Sequence, residues 1–141
     1  VLINNGGVST RRTAQQSSLD VDLHLTRVDF LSYVHLTKAL LPSMTQRKEG
    51  LIINVSSVAG KVGVGLRTAY CGAKHAIMGW FDALRVEEHA AGSGIRVCNV
   101  CPGSVKTNVA RNALMGTPGE RMGHSDPNIE AGLPVDGTCA R

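Results

Sequence analysis

Apolar residues in this chain fall into three short runs separated by two long stretches of helical periodicity. Val1-Leu2-Ile3 is a β-type run that stops at Asn4-Asn5-Gly6-Gly7, a cluster suited to a sharp turn and to close backbone approach. A loop is expected from there to about Gln16. Ser17, with Asp20 three residues later, marks a helix start, and Val28, Leu31, Leu36, Leu40 and Met44 then recur at helical spacing. Pro42 lies inside that helix and is expected to kink it. Leu51-Ile52-Ile53-Asn54-Val55 follows Gly50 as a continuous apolar run, the pattern of a strand covered on both faces. A glycine-rich loop leads to Thr68, where Ile77, Trp80, Phe81 and Leu84 predict a second long helix that Gly92-Ser93-Gly94 ends. Ile95 to Cys101 reads as a third strand, broken by Pro102-Gly103.

The order strand, helix, strand, helix, strand, with right-handed crossovers, predicts an α/β fold: a parallel three-stranded sheet with two long helices covering it. The chain is expected to be one domain, with a strand and helix core over residues 1–103 and a loop-rich region over 104–141. Gly116, Pro118, Gly119, Gly123, Pro127, Gly132 and Pro134 leave room in that region for at most a short helix near Val105 to Leu114.

Composition narrows the function classes. With 141 residues and 43% hydrophobic content, the chain has the makeup of one soluble globular domain. It shows no apolar run of membrane-spanning length and no charged start of a signal peptide. The net charge of +4 is scattered and only 4% of residues are aromatic, which argues against a nucleic-acid groove with its clustered basic groups and stacking rings. Cys98 and Cys101 form a C-x-x-C, but in an alternating strand they point to opposite sheet faces, so buried thiols are expected rather than a metal site. The five histidines show no ligand spacing, and no metal is expected.

Tyr70 and Lys74 lie four residues apart on the second helix, so a phenol and an ammonium project from one face. A neighbouring cation favours the phenolate and lowers the phenol's pKa, which makes a proton shuttle. Alone the pair is a weak signal. Ser57, thirteen residues earlier, follows the end of the middle strand, where open α/β sheets place ligands. Asn4 to Gly7 and Pro102-Gly103-Ser104-Val105-Lys106-Thr107 follow the other two strands, so three strand ends converge.

Together these residues resemble the short-chain dehydrogenase/reductase family. Its fingerprints are N-N-A-G after the fourth strand, a Ser before Y-x-x-x-K, and P-G followed by Val-x-Thr; the 11-beta-hydroxysteroid dehydrogenases are more distant kin. The resemblance covers roughly residues 1 to 125 and implies the C-terminal half of a Rossmann-like, doubly wound domain. It implies an oxidoreductase acting between a nicotinamide cofactor, NADP(H) more than NAD(H), and a small lipophilic alcohol or carbonyl such as a steroid or retinoid. Tyr70 is then the general acid/base, Lys74 lowers its pKa and holds the nicotinamide ribose, and Ser57 orients the substrate. Asn4, Asn5 and Gly6 line the adenosine side of the cofactor, and Pro102, Gly103, Val105 and Thr107 lie toward its nicotinamide end. A homodimer through the two long helices and association with the endoplasmic reticulum membrane are further implications.

Two departures from the family pattern stand out. The glycine-rich T-G-x-x-x-G-x-G turn that seats the pyrophosphate is absent from these residues, so a truncated fragment acting only as an interaction subunit is the alternative reading. Asp29 stands where the family has an Asn in a proton relay to the lysine, and a carboxylate cannot donate as an amide does.

Overall fold

The computed structural model describes residues 1–124. Strand β1 (Leu2–Asn4), helix α1 (Leu19–Leu25), a π-helical turn (Thr26–Leu31), helix α2 (Ser32–Arg47), strand β2 (Gly50–Val55), a 3-10 turn (Val58–Gly60), helix α3 (Thr68–Ala90) and strand β3 (Ile95–Val100) follow one another. The sheet is parallel in the order β1-β2-β3, with Leu2 opposite Ile52 and Ile52 opposite Val97. This is the partial Rossmann-like arrangement expected, and β3 closes at Val100 rather than Cys101.

Both long helices pack on the same sheet face. Ile52, Ile95 and Val97 meet Tyr33 and Met44 of α2 and Ile77, Phe81 and Leu84 of α3 in one core cluster. The other face carries Ile3, Leu51, Ile53, Val55, Cys98 and Val100, which are half-buried to exposed among the described residues. Two expectations are thereby corrected. Among the described residues strand β2 is covered fully on one face only, and Cys98 is an exposed thiol on the other face while Cys101 is half-buried.

The first long helix also differs from its expected pattern. Val28 is only half-buried, and Leu31, Leu36 and Leu40 face outward; the face turned to the protein holds Val21, Leu25, Asp29, Tyr33, Thr37 and Met44. From Val21 to Thr37 these recur every four residues. In a 3.6-residue helix each such step drifts by about 40°, so the stripe would wind off the core. The π-turn counters that drift by widening one turn: the Ser32 N–H reaches Arg27 O, five residues back. The Ser32 hydroxyl then donates at 2.6 Å to the Val28 carbonyl its own amide leaves behind. The irregularity thus falls at Thr26–Leu31, and the helix runs on through Pro42.

At the start of the helix, Ser18 rather than Ser17 is the N-terminal boundary residue, and its side chain makes no capping bond. Residues 108–112 form turns, within the allowance of at most a short helix near Val105 to Leu114, tied down by Asn112 N–H to Asn108 O at 2.9 Å and Ala113 N–H to Ala110 O at 3.0 Å. Expectations for residues 125–141 lie outside the described residues.

Candidate active site

Strands β1, β2 and β3 end side by side, and an amide ladder marks the last shared register. Asn4, Asn54 and Asn99 are opposite one another. Asn4 Nδ2 donates to Asn54 Oδ1 at 2.8 Å, and Asn54 Nδ2 to Asn99 Oδ1 at 3.0 Å. Asn99 Nδ2 then reaches Asp82 of α3 at 2.9 Å, so the three amides are chained side to side, with Asn4 Oδ1 left without a hydrogen bond among the described residues. The Asn4 Nδ2 is therefore engaged within the fold, on Asn54 and, at 3.4 Å, on Thr37 Oγ1. Asn5, Gly6 and Gly7, just beyond it, are exposed.

The next layer brings the expected residues together. Ser57 follows β2 and caps the 3-10 turn, its Oγ accepting the Ala59 N–H at 3.1 Å. Its hydroxyl lies near enough to Tyr70 to pull the phenol's pKa down. Lys74 lies one turn along α3 from Tyr70, its Nζ 5.6 Å from the Tyr70 ring centroid and bonded to Val55 O at 3.2 Å. Asp29 Oδ2 stands 3.6 Å from Nζ, with both side chains withdrawn from solvent. Asp29 Oδ1 accepts the Val8 N–H at 2.8 Å, while Oδ2 has no hydrogen bond among the described residues. The ends of β2 and β3 are joined by Ser56 N–H to Val100 O at 2.8 Å and Val58 N–H to Pro102 O at 3.0 Å. Gly103 is exposed and Val105 half-buried, and the exposed Thr107 turns its hydroxyl to the Val109 N–H at 3.4 Å, within its own loop.

Electrostatics in this cluster are governed by burial. Burial pushes the Asp29 carboxyl from 3.8 up to about 6, with Lys74 and the Val8 N–H pulling the other way. Burial lowers Lys74, and Asp29 opposes that shift. Tyr70 lies above its ordinary value, again through burial first; the Ser57 hydroxyl lowers it, Asp29 raises it and Arg67 lowers it. The expected lowering of the phenol is thus not what these residues produce by themselves, because desolvation outweighs the favourable contacts.

Three contributors were not visible in the sequence reading. Tyr33 lies under Lys74 with its ring centroid 5.5 Å from Nζ, and Ser56 Oγ donates to Lys74 O at 3.1 Å. Gly60 packs so closely there that a Cβ would fall 2.6 Å from Ser56 Oγ and 2.8 Å from Lys74 O. Only Tyr33 had a signal, since it follows Asp29 by four residues on one helix.

The set suits the nicotinamide and ribose half of a dinucleotide. Gly6 and Gly103 are exposed beyond β1 and β3, with nothing within 4 Å of where a Cβ would stand, so bare backbone is open to close approach. Ser57, Tyr70 and Lys74 supply two hydroxyls and an ammonium beside it. Among the described residues no cluster of His, Cys, Asp and Glu is arranged to hold a metal, and no helix is long and apolar enough to cross a membrane.

Comparison with known proteins agrees with this geometry. The short chain dehydrogenase family model matches residues 1–116. The chain is 42% identical over 125 residues to human dehydrogenase/reductase SDR family member 7, covering 89% of this chain and 37% of that protein. It is 42% identical over 132 residues to mouse dehydrogenase/reductase SDR family member 7B, covering 94% and 40%. Among solved structures, an oxidoreductase of the short chain dehydrogenase/reductase family from Burkholderia thailandensis superposes with TM-score 0.70 at 27% identity, over 76% of this chain and 41% of that one. A 3-oxoacyl-[acyl-carrier protein] reductase with bound NAD from Brucella melitensis gives TM-score 0.68 at 28% identity, over 73% and 41%. The chain thus spans about 40% of the length of the curated relatives it matches.

Proposed function

Because the chain belongs to the short chain dehydrogenase family, we propose that it forms the catalytic half of a nicotinamide-dependent oxidoreductase that interconverts an alcohol and a carbonyl. The observation that carries this reading is the meeting of Ser57, Tyr70 and Lys74 at the sheet edge where the exposed Gly6 and Gly103 offer bare backbone. The cofactor supplies or accepts the hydride when bound. Ser57 holds the substrate oxygen beside the phenol, and the Tyr70 hydroxyl gives that oxygen a proton in reduction and takes it back in oxidation. Lys74 offers its ammonium to the ribose side, with its Nζ 5.6 Å from the Tyr70 ring centroid.

A lipophilic carbonyl or alcohol is the substrate class we infer. The segment leading into Tyr70 presents Val58, Val62, Val64 and Leu66 to solvent, and Val64 is tied to α3 by its N–H to Cys71 Sγ at 3.3 Å. Apolar side chains around a few placed hydroxyls make the usual lining of such a site. NADP(H) is preferred to NAD(H) in this proposal, in keeping with the steroid-dehydrogenase-like branch, as is residence at the endoplasmic reticulum membrane. Leu19 and Leu23 on α1, Leu31 in the π-turn, Leu36 and Leu40 on α2 and Val86 on α3, all exposed, support a homodimer through the two long helices.

Fluorescence titration of the full-length protein with NADPH and NADH, followed by turnover on a panel of lipophilic ketones, tests the reading. Micromolar binding of NADPH with reduction of at least one ketone class is expected. Failure to bind either dinucleotide overturns it.

A further inference from the structure

Tyr33 belongs to no expected triad, yet its side chain meets the turn after β1, the end of β2 and Lys74. It is almost wholly buried, four residues beyond Asp29 on the face that the π-turn keeps aimed inward. Its hydroxyl lies 2.9 Å from Gly6 O, in the turn after β1, and 3.3 Å from Val55 O, at the end of β2. Val55 O is also the acceptor of Lys74 Nζ, at 3.2 Å. The aromatic ring meanwhile faces the Lys74 ammonium, with Nζ 5.5 Å from its centroid, and the Tyr70 ring stands at 5.6 Å from the same Nζ. The ammonium is therefore enclosed by two phenol rings, the Asp29 carboxylate and one carbonyl. A hydroxyl has a single proton, and the shorter contact assigns it to Gly6 O; Val55 O is the second acceptor within reach.

We propose that Tyr33 is a positioning residue of the active site, holding the Asn5–Gly7 turn and the Lys74 ammonium in fixed relation. The hydroxyl fixes the turn against β2, and the ring packs on the Lys74 ammonium together with that of Tyr70. Two groups that must meet one cofactor, the bare backbone at Gly6 and the Lys74 Nζ, are thereby set by one rigid side chain on a third element. This rests on the oxidoreductase reading for its catalytic consequence, but the hold on Lys74 does not.

Two measurements on the full-length protein separate these parts. In the first, Tyr33→Phe removes the hydroxyl and keeps the ring; cofactor Kd is expected to rise about fivefold, the scale of one lost hydrogen bond, with the melting temperature little changed. Unchanged Kd in a variant that only loses thermal stability would overturn the positioning role and leave a structural one. In the second, the cofactor-free protein is reductively methylated and Lys74 is followed by mass spectrometry. Tyr33→Leu, which also removes the ring, should expose Lys74 and speed its modification several-fold over the parent, with Tyr33→Phe close to the parent. Equal rates in parent and Tyr33→Leu would overturn the enclosure. A parent protein that binds no dinucleotide sinks the oxidoreductase reading alone, and the methylation rates still decide whether Tyr33 holds Lys74.

Discussion

Asp29 and Lys74 face each other at 3.6 Å with side chains 0% and 5% exposed, a charge pair almost without water. Such a pair is costly to form and more costly to break from one side, by about 3–5 kcal/mol, because the survivor is left charged and unpaired. Asp29 adds a second cost, since its Oδ2 has no hydrogen bond among the described residues. The arrangement trades stability for a fixed ammonium at the site.

That trade has a pH signature in stability. The Asp29 carboxyl is raised from 3.8 to about 6 in the folded chain, mainly by burial and against the pull of Lys74. A raised carboxyl means the folded state holds the proton more tightly than the unfolded state. Its stabilising contribution is present below about pH 4 and is lost as pH rises through about 6, a change on the order of 3 kcal/mol. Urea unfolding of the full-length protein between pH 4 and 7 should show this decline in the parent and a flatter profile in Asp29→Asn. Identical slopes would mean that Asp29 does not titrate in this window.

Asp29→Asn also has an expected catalytic effect. The Asp29 charge raises the Tyr70 phenol, and replacing it with a neutral amide removes that contribution. The limb of carbonyl reduction that falls as Tyr70 loses its proton should therefore move to lower pH. An unmoved limb in kcat/KM would place Asp29 outside the electrostatics of the phenol.

The strand and helix order was legible because glycine and proline punctuate the apolar runs, and because Tyr70, Lys74 and Ser57 carry the family's spacing. The inward face of the first long helix was not. Its buried positions include Asp29, Tyr33 and Thr37, whose polar atoms are answered by partners distant in sequence: Lys74 and Val8, Gly6 and Val55, and Asn4. Reading apolar residues alone selected Leu31, Leu36 and Leu40, which face outward. The phenol's raised pKa was missed for a related reason, since spacing reveals a neighbouring cation but not the desolvation that opposes it.

Tyr70→Phe tests the proton donor. In the full-length protein, turnover should fall by about 10²–10⁴-fold, with cofactor affinity nearly unchanged, because the hydroxyl acts on the reacting oxygen. More than a tenth of parental turnover in Tyr70→Phe would remove the phenol from that role. Lys74→Ala should lower cofactor affinity as well as turnover, and also stability, because Asp29 is left buried without its partner.

Gly60→Ala probes the scaffold under Lys74. The added methyl would stand 2.8 Å from the Lys74 carbonyl and 2.6 Å from Ser56 Oγ, so the 3-10 turn or α3 must shift. Because Ser57 caps that turn and Tyr70 lies on that helix, a displacement of about 1 Å is enough to misalign them, at a cost of around a hundredfold in kcat. A melting temperature that drops with kcat preserved would show that the turn can move without disturbing the site.

Residues 1–141 produced alone should associate. The sheet buries one face under α2 and α3, while its other face leaves Ile3 61% and Val100 42% exposed, with Leu51, Ile53 and Val55 half-buried. Each such side chain left in water forgoes up to about 1.5–3 kcal/mol, against a net domain stability of only about 5–15 kcal/mol. Among the described residues β1 and β3 each pair on one side only, and unpaired strand edges template further pairing. Face and edge therefore act in the same direction, toward self-association and weak dinucleotide binding. Sedimentation velocity should show polydisperse species, and Ile3→Lys with Val100→Lys, which place charge on the open face, should reduce their size. A monodisperse monomer with micromolar NADPH affinity would show instead that the helix-covered face alone suffices to hold the fold and the site.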